Sequence, residues 1–269
     1  VTPPAQRGAA FGLRQSLDTV GATLGPLLAI GRMALFNDDI RTVLWFAVIP
    51  AVISVAILLI FVRDPGPQHL LEDGTKRVLI KLRDLGGLGR FYWFVVGAGA
   101  VFTLARFSEA FLVIRAYDAG LPLALAPAVV AVMSIVFALT AYPAGRLQDR
   151  FGARPPLLAG LAALIAADLL LAFGSGLVAV FLAIGLWGLH LGLTQGVLSA
   201  LVAHAAPANL RGTAFGVFGL TVGVATLVAS LLAGILWDAV SPEATFLAGA
   251  GFAAAALIAF VALRLVERA

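Results

Sequence analysis

Long apolar runs, each near the length of a membrane-spanning helix, follow one another along most of this chain. A helix needs about 20 mostly apolar residues to cross a bilayer. Most connections between the runs are short and contain Gly, Pro, Asp or Ser, which are typical of turns. The pattern predicts eight transmembrane helices, at 10–31, 42–62, 91–114, 122–144, 156–174, 177–203, 213–236 and 244–264.

Composition supports this interpretation and excludes several kinds of chemistry. Hydrophobic residues make up 61% of the chain and charged residues 12%, whereas soluble domains are about 25% charged. The chain lacks cysteine and its three histidines are scattered, so we expect neither a metal site nor a cofactor. The nucleotide-binding and hydrolytic motifs G-x-x-x-x-G-K-[ST], H-E-x-x-H and G-x-S-x-G are also absent. We therefore expect an all-α membrane protein that is not an enzyme and that draws energy from an ion gradient.

The basic residues predict an orientation. With the first residue in the cytoplasm, fourteen of the 18 Lys and Arg lie on the cytoplasmic side of the predicted spans, and only Arg32, Arg41 and Arg115 lie outside. Cytoplasmic loops of membrane proteins carry this excess of positive charge. We expect a multi-pass protein of the cell inner (plasma) membrane with both ends of the chain in the cytoplasm. The basic residues then contact lipid headgroups, and nucleic acid is not an expected partner.

One connection, residues 63–90, is much longer than the others. Within it, Val78, Leu79, Leu82 and Leu85 recur at helical spacing among basic residues. This pattern is typical of a short amphipathic helix on the cytoplasmic membrane surface. A solvated linker is the alternative.

An internal repeat divides the chain. Residues 7–12 read RGAAFG and residues 211–216 read RGTAFG, an offset of 204 that persists from Leu27-Leu28-Ala29 to Leu231-Leu232-Ala233. The first and seventh predicted spans therefore correspond, so the repeating unit has six helices. Transporters built from two six-helix repeats bind their substrates between the halves.

The first predicted span carries charges that a simple membrane anchor does not need. Arg14 and Asp18 are four residues apart, close enough to pair along one face of a helix. Charged groups within spans usually face a protein interior or an aqueous path. Asp18 is a candidate proton carrier near the middle of the membrane, and a permanent structural ion pair is the alternative. Residues that allow close helix approach or a kink share this span: Gly12, Gly21, Gly25 and Pro26.

Two later spans carry further polar candidates. Arg106 and Glu109 form a second pair in the third span, which could line a substrate cavity, form an extracellular gate or be an interfacial pair. His190 lies in the sixth span, where its titration near neutral pH suits proton transfer or substrate binding; a packing histidine is the alternative. Trp187 and Gln195 lie near it along the helix.

The remaining polar groups are expected to be mainly structural. We expect Asp168, in the fifth span, to reach the membrane interface or a neighbouring helix, with a role in transport as the alternative, and we expect His204 to be structural.

The loop after the fourth span, GRLQDRFGARP at 145–155, resembles the G-x-L-x-D-R-x-G-R-[RK] loop of the major facilitator superfamily, with Ala153 in place of an arginine. The resemblance implies two six-helix halves. Residues 1–62 would be the last two helices of the N-terminal half, 63–90 the central cytoplasmic loop and 91–269 the C-terminal half. The chain would lack the first four helices.

That loop is expected to act as a conformational latch. Asp149 would accept hydrogen bonds from a helix N-terminus across the cytoplasmic interface, with residues 8–10 as the partner. A basic turn needed only for topology is the alternative. The latch comprises Gly145, Asp149, Arg150, Gly152 and Arg154.

The spacing of Gly12, Gly21, Gly25 and Pro26 resembles a motif of drug/proton antiporters in the same superfamily, with Ala29 where that motif has a glycine. This resemblance implies export. We expect a monomeric, proton-coupled exporter of small amphipathic molecules that works by alternating access, with membrane lipids, protons and the substrate as its partners. An importer of an anionic metabolite and a membrane sensor without transport are the alternatives.

Roles follow from that expectation. Asp18 is the first candidate for the proton, followed by Glu109 and His190. The substrate would contact Arg14, Arg106, Trp187 and Gln195.

Overall fold

The computed structural model describes residues 7–36, 39–61, 82–207 and 210–266, and these residues form helices and short connections without a strand. The amphipathic pattern predicted near 78–85 falls largely outside the described residues. Its last part is described and belongs to a 3₁₀ turn, Leu82–Gly87. The α-helices, in chain order, are α1 Arg7–Leu35, α2 Ile40–Phe61, α3 Arg90–Leu104, α4 Ala110–Asp118, α5 Ala126–Phe151, α6 Arg154–Phe173, α7 Gly176–Ala205, α8 Arg211–Ala239 and α9 Pro242–Val266.

Helices lie at all eight predicted positions, and six are long and apolar enough to cross a membrane: α2 and α5 to α9. The prediction of one continuous third span, 91–114, is wrong. That region is two helices, α3 and α4, separated by Ala105–Glu109. The separating residues include the charged Arg106 and Glu109.

The central helix of the bundle is α7, which packs against both α5 and α6, while α6 also packs along α9. Gly188 and Gly192 lie one turn apart on α7 and make this contact close. A Cβ at Gly188 would collide with the Met133 carbonyl oxygen, and one at Gly192 would collide with the Thr140 hydroxyl. Small residues at such spacing let membrane helices approach each other.

The sequence repeat falls on α1 and α8. The described part of α1 runs Arg7–Leu35, and α8 runs Arg211–Ala239. Helix α1 packs along α5, whereas α8 packs against α3 and α9. The two RG-x-AFG segments therefore both lie in long helices that have different neighbours in the described residues, and the six-helix repeat stays a prediction.

The connection between α1 and α2 ends in a helix cap. Asp39 Oδ1 accepts hydrogen bonds from the backbone N–H groups of Arg41 and Thr42, at 3.1 and 3.4 Å. The Thr42 hydroxyl donates to Asp39 Oδ2 at 2.6 Å. These bonds satisfy N–H groups that the first turn of a helix leaves without partners, and they hold the pKa of Asp39 below its usual value.

Candidate functional site: a cavity at a broken helix

The interruption between α3 and α4 exposes backbone groups inside the bundle. Arg106 N–H still bonds to the Thr103 carbonyl at 2.9 Å. The next three N–H groups, of Phe107, Ser108 and Glu109, have no backbone acceptor among the described residues. The Ser108 hydroxyl accepts a bond from Ala110 N–H at 3.3 Å and so supports the start of α4. Irregular backbone is tolerated at membrane depth where it lines a cavity or is buried in protein.

A cavity of about 390 Å³ lies against this interruption. Its size falls within the range of small-molecule sites. Four residues selected from the sequence line it together: Arg106, Glu109, Trp187 and Gln195. The sequence did not single out the other lining residues, Thr103, Phe107, Ser108, Leu198, Ser199, Phe218, Val222 and Thr226.

The two charges of the cavity are near each other but not directly bonded. Arg106 and Glu109 interact electrostatically, yet the described residues include no direct ion pair between them. The Arg106 guanidinium instead lies 5.7 Å from the centre of the Phe102 ring. Glu109 is exposed and Arg106 is partly buried. A cation and an anion that attract each other without a direct salt bridge therefore border one cavity.

Aromatic rings form one wall of the site. Phe107 lies in the interruption, and its ring centre is 5.3 Å from that of Trp187, 5.6 Å from that of Phe111 and 5.7 Å from that of Phe246. Trp237 joins Phe111 and Phe246 at the far side of the cluster. Phe246 lies near the start of α9 and Trp237 near the end of α8, so the cluster connects these two helices to the interruption.

His190 is buried behind the cavity and is not among the residues that line it. Its Nδ1 contacts the Gly160 carbonyl oxygen at 2.8 Å. A carbonyl only accepts, so Nδ1 carries the proton. Nε2 has no partner in the described part of the chain, and the Phe102 ring lies 5.4 Å away between centroids. The structure thus separates His190 from the four residues that share the cavity.

None of the described side chains of helix α1 lines this cavity. Asp18 is exposed and makes an interaction within the structure. Gly12 lies within α1, and the side chain of Arg14 lies outside the described part of the chain. The helix continues through Pro26, and no described atom lies within 4 Å of a Cβ added at Gly21 or Gly25. The close helix approach expected at these two glycines is therefore not made by the described residues, and the hinge stays a prediction.

The prediction of a loop at 145–155 is wrong for most of that segment, because α5 continues to Phe151 and α6 begins at Arg154. Gly152 ends α5 with φ of 84°, a conformation that L side chains rarely adopt. Arg154 Nη2 donates to the Phe260 carbonyl oxygen at 3.1 Å and so ties α6 to α9. Arg150 lies 5.0 Å from the centre of the Phe151 ring. Gly145 is buried, and Asp149 is exposed with an interaction of its own; the latch itself stays a prediction.

Sequence reasoning missed two features. Asp168 is fully buried, and both of its carboxyl oxygens lack a hydrogen-bond partner among the described residues. Asp168 contacts the neighbouring helix α9, which agrees with one of the two predicted positions. Its Oδ2 would lie 2.7 Å from a Cβ added at Gly249 on α9. The other is the G-x-x-x-G spacing of Gly188 and Gly192, a signal already visible in the sequence.

Relatives match along most of the chain. An uncharacterised MFS-type transporter of Methanocaldococcus jannaschii is 29% identical over 252 residues, which cover 91% of this chain and 61% of the relative. An uncharacterised protein of Mycobacterium tuberculosis is 29% identical over 234 residues, 86% of this chain and 57% of the relative. The tetracycline resistance protein, class B, of Escherichia coli is 33% identical over 119 residues, 44% of this chain and 28% of the relative. The chain spans about three fifths of the length of the first two relatives.

The family model of the Major Facilitator Superfamily matches residues 1–137 and 110–269. These matches cover every residue of the chain, and the helical bundle with a cavity at a broken span agrees with them. The chain belongs to the major facilitator superfamily.

Proposed function

We propose that this chain is part of a secondary active transporter that exports small amphipathic molecules in exchange for protons by alternating access. The observation that carries the proposal is the cavity, in which Arg106, Glu109, Trp187 and Gln195 meet at a broken helix. Transporters commonly place their sites at such discontinuous helices near the middle of the membrane. Aromatic rings would hold the apolar part of a substrate while the charged and amide groups orient its polar part.

Glu109 is the group best placed to link a proton to the substrate. Its carboxyl is exposed in the cavity and makes no direct ion pair with Arg106. A cationic group of the substrate would compete with a proton for the same carboxylate, so binding of one would release the other. The predicted proton roles of Asp18 and His190 stay secondary proposals, because neither side chain lines the cavity.

Export is supported by two likenesses. The glycine-proline spacing of α1 resembles that of drug/proton antiporters, and one relative is named a tetracycline resistance protein. The packing of α1 along α5 suits a contact between two halves that rock against each other. In this arrangement residues 1–62 complete one half, 63–90 form the cytoplasmic connection, 91–269 form the other half, and the monomer lies in the inner membrane with both chain ends inside.

Import of an anionic metabolite is the second candidate, and one observation favours it. Arg106 borders the cavity together with the unbonded N–H groups that precede α4. A helix N-terminus carries partial positive charge, and broken helices in transporters direct such termini at anionic groups of substrates.

Transport by the full-length protein in proteoliposomes separates these candidates. Panels of cationic, neutral and anionic amphipathic compounds are tested for counterflow and for substrate-dependent proton movement. The proposal expects cationic or neutral compounds to move protons in the opposite direction, and expects Glu109→Gln to abolish that coupling while Asp118→Asn, at an exposed carboxyl, preserves it. Anion uptake would establish the second candidate, and substrate binding without any flux would establish a sensor.

A further inference from the structure

Asp168 presents an energetic problem that the cavity does not explain. Its side chain has no exposed surface, and neither carboxyl oxygen has a partner in the described residues. An ionised carboxylate in such surroundings is costly, so a group of this kind binds a proton and becomes neutral. Membrane-buried acids are rare, and most of those that occur serve ion or proton pathways.

The charged groups on the surrounding helices do not relieve that cost. His190 on α7 is bonded to Gly160, about two turns along α6 from Asp168. Arg115 on α4 donates to the Leu171 carbonyl at 3.0 Å and lies 3.8 Å from Glu243 at the start of α9. Arg106 and Glu109 lie on the cavity side of the α3–α4 interruption. None of these described groups pairs with Asp168.

Phe107 separates Asp168 from the cavity. A Cβ added at Gly249 would lie 2.7 Å from Asp168 Oδ2 and 2.9 Å from Phe107 Cε1. The Asp168 carboxyl and the Phe107 ring therefore both pack against Gly249. The same ring lines the cavity and packs against Trp187. A void of about 10 Å³ beside Phe107 and Gly249 is at the lower limit for a single water. Phe107 lines both this void and the cavity, whereas Asp168 lines neither.

Phe107 belongs to the short non-helical segment between α3 and α4, whose N–H groups are largely unbonded to other backbone. Segments with few backbone hydrogen bonds are those that move at low cost. We propose that Asp168 is a second proton-carrying carboxyl, sealed by Phe107 and opened to the cavity when the segment at 105–109 moves. On opening, the carboxyl O–H bond breaks, its electron pair stays on the carboxylate, and the proton passes to a cavity water. Before the segment closes, a protonated cavity water gives a proton back to the carboxylate, and the carboxyl O–H bond forms again.

The inference rests on the proposed proton-coupled transport, but its first test does not. Infrared difference spectra of the full-length protein in lipid, at neutral pH, compare the wild type with Asp168→Asn. We expect the variant to lose a carbonyl band of a protonated carboxylic acid, whereas Asp118→Asn, at an exposed carboxyl of α4, loses none. Phe107→Ala should weaken the band at neutral pH because water then reaches the carboxyl. An unchanged band in Asp168→Asn would overturn the inference whatever the transport activity.

The second test measures coupling. Asp168→Asn is expected to lose substrate accumulation driven by a pH gradient while retaining counterflow, which needs no net proton movement. Full gradient-driven accumulation in Asp168→Asn would overturn the inference, since a structural carboxyl tolerates the amide. A wild type that moves no protons, yet shows the infrared band, would refute the proposed coupling and leave Asp168 as a sealed acid without a transport role.

Discussion

Two apolar stretches of this chain each carry an arginine closely followed by an acid, and they fold differently. In α1, Arg14 and Asp18 lie on a helix that continues through Gly21, Gly25 and Pro26. Between α3 and α4, Arg106 and Glu109 lie where the helix stops for five residues and a cavity opens. Charged residues within a predicted span therefore indicate a binding cavity most strongly where the helix is also interrupted.

Glycine and proline do not account for the difference between the continuous helix and the interrupted one. The segment TLARFSEAF at 103–111 contains neither Gly nor Pro, yet it is the one that is interrupted. Proline is tolerated within membrane helices when neighbouring groups compensate for its missing N–H. At the interruption, Ser108 offers its hydroxyl to the backbone of Ala110 and so competes with the continuous helix.

The largest expected effect is on proton movement, and it is measured by replacing Glu109 and Asp18 in turn. Glu109→Gln should abolish substrate-coupled proton movement by the full-length protein, because it removes the ionisable group that borders the cavity. Asp18→Asn should reduce that movement less, because Asp18 does not line the cavity. Proteoliposome proton flux measures both variants. Full activity in Glu109→Gln with loss in Asp18→Asn would reverse the comparison.

The glycines of the two regions provide the next test. Gly192→Ala should destabilise the protein by about 1–3 kcal/mol, because the added methyl overlaps Thr140 in a packed contact. Gly21→Ala should leave stability unchanged or slightly higher, since open space surrounds it in the described residues. Thermal unfolding in detergent compares them. Equal effects would show that a partner packs on α1 as tightly as α5 packs on α7.

A smaller effect is expected at the start of α4. Ser108→Ala removes the bond to Ala110 N–H and should increase amide hydrogen exchange over the first turn of α4. The matched change on α1 is Thr23→Val, which removes a bond from the Thr23 hydroxyl to the Thr19 carbonyl within a continuous helix. That change should leave exchange nearly unaltered. Faster exchange in Thr23→Val than in Ser108→Ala would contradict the account of the interruption.

The smallest effect concerns pH and the cap of α2. The pKa of Asp39 is lowered by its bonds to Thr42, so its contribution to stability is present above the unfolded pKa and is lost as pH falls through the folded pKa. Asp39→Ala should therefore lower the unfolding temperature slightly at neutral pH and not in strong acid. A difference that is equal at both pH values would show that the cap is not electrostatic.

The sequence was a good guide to elements with local signals. The apolar runs located the helices because length and composition decide them. Arg106, Glu109 and Gln195 are conspicuous as polar groups in apolar helices, and Trp187 lies one turn from His190. These four residues line the cavity, and their roles stay predictions. The interruption at 105–109 was not predictable, since the segment has neither Gly nor Pro and its apolar surroundings are typical of a continuous span. The meeting of Asp168, Phe107 and Gly249 was also out of reach, because it joins two helices and the segment at 105–109, which are far apart in the chain.

The most direct test of the central claim is water access along the cavity. Single cysteines at Ser108, Ser199 and Thr226, in a full-length protein without other cysteines, are exposed to a polar thiol reagent with and without substrate. Ala162 and Ala166, on the exposed face of α6, serve as controls. The account predicts labelling at the three cavity positions, protection by substrate, and no labelling of the controls. Unreactive cavity positions, or equal reactivity on α6, would contradict it.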